Sequence, residues 1–201
     1  MKTSSDILQI RVLGLSAIIA PLLFGISTFF WENGEYGVTA ATILCLSMVF
    51  WIPALIAVFG LLKKEMPYYY LIGLLIAIYG CCMGGIGFGL LGYFTTIFSI
   101  PHQTYLKTLE QYPISSGLLL FWAGPLFPLS LLVLGINLII KRVTERWLGA
   151  VLCLAAIAFP LSRISRIETL AHLADLLLAI PFMVIGFRYF NKAGKQVLQT
   201  K

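Results

Sequence analysis

Charge is what this chain has least of. Only 11% of its 201 residues are charged, eight of them Asp or Glu, and there are two histidines. A soluble domain keeps a charged, water-compatible exterior, so a free-standing globular fold is excluded. Long polar stretches are missing too; the longest plausible extramembrane segment is 99–114.

Metal and disulfide frameworks are also absent. The four cysteines, Cys45, Cys81, Cys82 and Cys153, all fall in apolar stretches, form no CxxC and include an adjacent pair. That pattern fits small soft interior residues rather than ligands. No nucleophile motif, paired-carboxylate signature or HxxxH pair occurs. Haem between His102 and His172 was weighed, but a loop histidine with no helical frame is a poor axial ligand. No metal and no cofactor are therefore expected. The net charge of +6 has no basic module interleaved with aromatics behind it, so no nucleic-acid partner is expected.

What is present is 60% hydrophobic sequence gathered into six runs, near Val12–Trp31, Val38–Leu62, Tyr68–Phe98, Ser115–Ile140, Trp147–Ser162 and Thr169–Phe187. Crossing a hydrocarbon core of about 30 Å takes roughly 20 apolar residues. The runs predict an all-α polytopic membrane protein, one domain of six transmembrane helices over residues 1–201, in contact with the lipid bilayer. The first run is too long for a signal-peptide core and lacks a small-residue cleavage site, so it reads as a retained span. The fifth is the shortest.

Fourteen Lys and Arg residues are distributed unevenly. Eleven lie at the N-terminus, the second and fourth loops and the C-terminus; Lys107, Arg163 and Arg166 lie on the other side. The positive-inside rule then places both termini in the cytoplasm, with a plasma-membrane location expected. Tyr68, Tyr69 and Tyr70 open the third span, and Phe29, Phe30 and Trp31 close the first, as interface aromatics do.

The third span carries two glycine rows, Gly80, Gly84, Gly87 and Gly85, Gly89, Gly92. They predict a central helix gripped by two neighbours, since missing side chains let backbones approach. The sharper alternative is a flat ligand on the glycine surface. Prolines at 21, 53, 125, 128, 160 and 181 predict kinks, densest at Gly124-Pro125-Leu126-Phe127-Pro128. Offsets of these prolines permit an inverted repeat of three plus three spans. In the 99–114 loop, Tyr105, Leu106, Leu109 and Tyr112 fall at helical spacing, predicting a short interfacial helix that rests at the headgroups.

Polar chemistry concentrates in 162–175. Arg163 and Arg166 break the charge rule. Glu168, His172 and Asp175 follow at i, i+4 and i+7, within about 60° on a helix. Asp175 would lie roughly 10 Å below the helix start. A carboxylate at that depth needs a partner or a water-filled crevice, and Arg163 and Arg166 are the candidates, Arg163 lying off the regular helix and freer to turn inward. Plainer readings compete. Ser165 and Glu168 fit a capping box, Arg166 snorkels to phosphates, and His172 bonds a neighbour.

Arg163, Arg166, Glu168, His172 and Asp175 form the expected ligand-binding set. Their chemistry is either an anion site built from guanidinium forks at a helix N-terminus, a His172–Asp175 proton relay, or a general base in a membrane enzyme with His172 and Asp175 catalytic. The first gives the leading expectation: binding or transport of a small amphiphilic or anionic molecule through an outward polar crevice at the fifth–sixth hairpin. Alternatives are a membrane enzyme for a lipophilic substrate and an accessory subunit whose glycine faces meet partner helices.

Overall fold

Apolar composition leaves backbone N–H and C=O groups no water to bond in lipid, so each run closes its own ladder as a helix. The computed structural model of the protein describes residues 4–199, without the side chains of His102 and of 195–199. Lys2 and Lys201, counted in the charge bias, lie outside the described residues, as does the Lys195 side chain.

Six helices are long and apolar enough to cross a membrane. Helix α1 spans Ser4–Thr28. A two-stranded hairpin follows, β1 Trp31–Glu32 and β2 Glu35–Tyr36. Helix α2 spans Val38–Phe59 and ends in a 3-10 turn, Gly60–Leu62. Then come α3 Pro67–Ile97, α4 His102–Glu110 and α5 Pro113–Ser116. A π-helical segment, Gly117–Phe121, joins α5 to α6 Ala123–Lys141. The chain closes with α7 Arg146–Ser165 and α8 Glu168–Gln199. Three spans differ from expectation. The first begins at Ser4, and Trp31 belongs to the hairpin instead. The fifth is not short: α7 gains a turn at its far end and has 20 residues. The sixth runs past Phe187, with α8 reaching Gln199.

The helices form a ring in chain order: α1 packs on α2, α2 on α3, α3 on α6, α6 on α7, α7 on α8, and α8 returns to α1. Lipid gives apolar side chains no reason to leave it, so close backbone approach drives such packing. Glycine supplies it. A Cβ on Gly80 would stand 2.5 Å from the Phe127 nitrogen, and one on Gly87 2.6 Å from the Leu119 oxygen, both on the α6 span. The other row meets the α2 side: a Cβ on Gly89 would lie 2.6 Å from Cys45 Sγ, and one on Gly92 2.6 Å from the Tyr36 oxygen. Thus α3 is gripped by two neighbours, as the two rows predict, and the glycines meet this chain's own helices. Gly14 and Gly186 cross α1 on α8 in the same way, and Gly135 and Gly149 cross α6 on α7.

Inside the ring, Phe24, Trp51, Phe127 and Phe159 contact one another at centroid separations of 5.3–6.0 Å, and Phe182 packs on Trp51 at 4.9 Å. Trp51 and Phe182 are fully buried. Phe24, Phe127 and Phe159 of this aromatic cluster line a cavity on the hairpin's side.

Proline placement shapes that side. Pro125 has no N–H, and a π-turn precedes it, with Trp122 N bonding Gly117 O at 2.8 Å. The Tyr79 hydroxyl donates to the Leu118 carbonyl at 2.6 Å, so the irregular backbone is satisfied from α3. The break is a shaped kink.

Candidate functional site

The cavity measures about 750 Å³, within the range of small-molecule sites. Its walls come from α3 (Gly84, Gly85, Phe88), the broken start of α6 and the far half of α7. Phe24, Phe127 and Phe159 form its floor. Arg163, Arg166, Trp31, Tyr36, Glu35 and Tyr105 line its polar end.

The hairpin builds that end. Asn33 and Gly34 both have positive φ, 54° and 76°, the conformation a tight two-residue hairpin turn requires. Trp31 faces Tyr36 across the strands, and Glu32 faces Glu35. Side chains alternate along a strand, so Trp31 and Tyr36 point together toward the bundle, their rings 5.3 Å apart. Gly34 docks on Arg166: a Cβ there would lie 2.8 Å from the Arg166 oxygen.

Arg163 lies in the last turn of α7, not on a free segment, and turns inward from there. Its guanidinium binds Asp175 Oδ1 at 2.7 Å and donates to the Ser162 hydroxyl at 3.1 Å. Tyr36 lines the same end of the cavity, beside the guanidinium. Three rings surround it, Phe159 at 4.6 Å, Trp31 at 5.1 Å and Phe24 at 5.3 Å. Such faces attract a desolvated cation. Asp175 is 3% exposed and is wedged between α7 and α1, where a Cβ on Gly25 would touch it at 3.5 Å. Two donors at this end have no partner among the described residues: Arg163 Nε and Trp31 Nε1 are both buried and unbonded, as is Asp175 Oδ2.

Arg166 caps α7 in the left-handed conformation, φ 56°. It pairs with Glu35 at 2.5 Å, and Tyr105 of α4 lines the cavity beside it. Burial pushes the Tyr36 hydroxyl above the ordinary tyrosine value, with Arg163 pulling the other way. Burial raises Tyr105 likewise, with Arg166 opposing.

The remaining expected residues lie elsewhere. The Ser165–Glu168 capping box is not made: Ser165 ends α7 and its hydroxyl turns back to the Ser162 oxygen at 3.4 Å. Glu168 is exposed. His172 Nδ1 meets the Thr28 hydroxyl at 3.0 Å, and its ring stacks on Phe29 at 4.0 Å. Of the five, Arg163 and Arg166 line the cavity; Glu168, His172 and Asp175 do not. The side chain of His102 falls outside the described residues. Trp31 and Tyr36 escape the sequence reading, although Asn33-Gly34 between aromatic and acidic residues is a hairpin signal.

No protein-family model, curated protein or solved structure matches this chain.

Proposed function

We propose that this integral membrane protein binds a small amphiphilic molecule in the cavity. Its head would sit below the hairpin and its apolar part on the glycine and aromatic wall. One observation carries the reading: an apolar cavity of about 750 Å³ ends at Arg163, Arg166, Trp31, Tyr36 and Tyr105, side chains that carry hydrogen-bond donors.

The arginines' charges are already met by Asp175 and Glu35. That favours recognition by hydrogen bonding over capture of a bare anion. In this reading Asp175 acts through Arg163, holding it against the rings, and is not a contact. The membrane-enzyme alternative has nothing comparable in its favour, since neither His172 nor Asp175 lines the cavity. An accessory role through the third-span glycines loses its surface, because α2 and α6 occupy both rows.

Native mass spectrometry of the gently extracted chain tests this. The expected result is a defined added mass whose occupancy falls in Trp31→Phe, which keeps a ring but loses the donor. A bare chain under every mild extraction would overturn it.

A further inference from the structure

The cavity has a second edge, on the lipid side. Helices α6 and α7 touch backbone to backbone at Gly135 and Gly149, where a Cβ on either would stand 2.8 or 2.7 Å from the other's oxygen. That crossing lies about 9 Å from the Lys141 end of α6, at 1.5 Å per residue. Toward the hairpin, Pro128 and Pro160 interrupt the two helices. Beyond the crossing, Leu129 and Leu132 of α6 and Ile157 and Leu161 of α7 all line the cavity. Three of these are also open on the outer surface of the bundle: Leu129 is 54% exposed, Ile157 52% and Leu161 57%. A side chain that lines a cavity and is half exposed on an apolar span stands at the cavity's mouth, and that mouth faces acyl chains.

The water-facing end is built differently. Trp31 and Tyr36 line it from the hairpin, Arg166 ties Glu35 to it, and α4 places Tyr105 on it. Ile157 lies eight residues before the end of α7, about 12 Å from that end. The apolar opening is therefore at chain depth, and the unbonded N–H groups of Arg163 and Trp31 are at head depth.

We propose that the gap between α6 and α7 is a lateral portal through which a bilayer lipid enters. Its chain threads between Leu129 and Leu161, and its head lies against the donor-bearing side chains that line the polar end, Arg163, Arg166 and Trp31. The proposal rests on the amphiphile-site reading above and names both the ligand class and its route.

The test uses the full chain in phosphatidylcholine vesicles doped with a phosphatidylcholine carrying a photoreactive diazirine at the chain end. After irradiation, adducts are mapped by peptide mass spectrometry. Adducts are expected at the mouth, on Leu129 and Leu161, and on the cavity wall, on Phe88 and Leu132. Filling the mouth with the Leu129→Trp/Leu161→Trp pair is expected to lower wall adducts severalfold. Adducts on the outward-facing Leu75 and Leu154, 67% and 57% exposed, stay constant and report an intact fold. Wall adducts that persist undiminished in the filled variant overturn the portal while leaving the amphiphile site standing. No wall adducts in the unaltered chain, beside a bound mass in native spectra, also overturn it, because the ligand is then not a bilayer lipid. No wall adducts and no bound mass sink both readings.

Discussion

Arg163 and Asp175 join the last turn of α7 to the second turn of α8 through a 2.7 Å ion pair whose side chains are 15% and 2% exposed. Removing one partner of a buried pair leaves an uncompensated charge, which costs about 3–5 kcal/mol. Asp175→Leu is therefore expected to lower the Tm of the detergent-solubilised protein sharply. Arg163→Met in the same chain is expected to restore much of it, since a well-packed apolar pair replaces a buried ionic one at little cost. A double variant no more stable than Asp175→Leu would rule this account out.

The second pair on this end behaves differently. Arg166 and Glu35 are 42% and 48% exposed, so solvent screening leaves their pair worth about 0–1 kcal/mol. Glu35→Gln is expected to shift Tm slightly, and less still in high salt. A Tm loss matching that of Asp175→Leu would show that the hairpin's tie to Arg166 carries more than the charge pair.

How much of this was legible in the sequence follows from which forces act locally. The six spans and the two glycine rows are composition and periodicity, and both appear in the fold. The Arg163–Asp175 pairing was legible because a deep carboxylate demands a partner. The shared helical face of Glu168, His172 and Asp175 was geometrically sound but did not make one site. Helix α8 lies between α1 and α7, so His172 turns to Thr28 while Asp175 turns to Arg163. Helix spacing fixes a face; neighbouring helices decide what that face meets. The cavity needed contacts between α3, α6 and α7 that no local pattern encodes. The hairpin was the avoidable omission, because Asn33-Gly34 carries its turn chemistry in two residues.

Tyr36 gives an alkaline prediction. Burial beneath the hairpin raises its value above the ordinary 10.0, so it holds its proton more tightly folded than unfolded. Its contribution to stability is whole below about pH 10 and is lost as pH rises through the higher folded value. Subtracting the phenolate absorbance titration of Tyr36→Phe from that of the unaltered chain isolates this hydroxyl. A component titrating at or below 10.0 would contradict its burial.

Glycine substitutions separate space from conformation. Gly87→Ala pushes a methyl to 2.6 Å from the Leu119 oxygen, and Gly80→Ala reaches 2.5 Å from a backbone nitrogen. Neither neighbour is a side chain that can swing away, so both are expected to destabilise by more than about 1 kcal/mol. Gly34→Ala combines a 2.8 Å contact with a φ of 76°, adding the left-handed penalty of about 1–2 kcal/mol. At Gly194 a Cβ meets nothing within 4 Å. There alanine is expected to be neutral or to stabilise by at most about 1 kcal/mol through helix propensity. Thermal unfolding of the four variants in one detergent gives the order directly, and a Gly194→Ala loss as large as that of Gly80→Ala would undo the packing explanation.

Orientation can be read from outside the cell. The charge bias predicts that the hairpin and α4 face away from the cytoplasm, because Lys and Arg resist translocation. Lys107 sits on α4, while Lys64 follows the 3-10 turn at the opposite end of α2. The native cysteines lie within spans and can be replaced by alanine or serine as background. A Lys107→Cys variant is then expected to react with a membrane-impermeant maleimide on intact cells, and Lys64→Cys only after permeabilisation. The opposite pattern would turn the protein over, opening the water-facing end of its cavity to the cytoplasm and supplying any bilayer ligand from the inner leaflet.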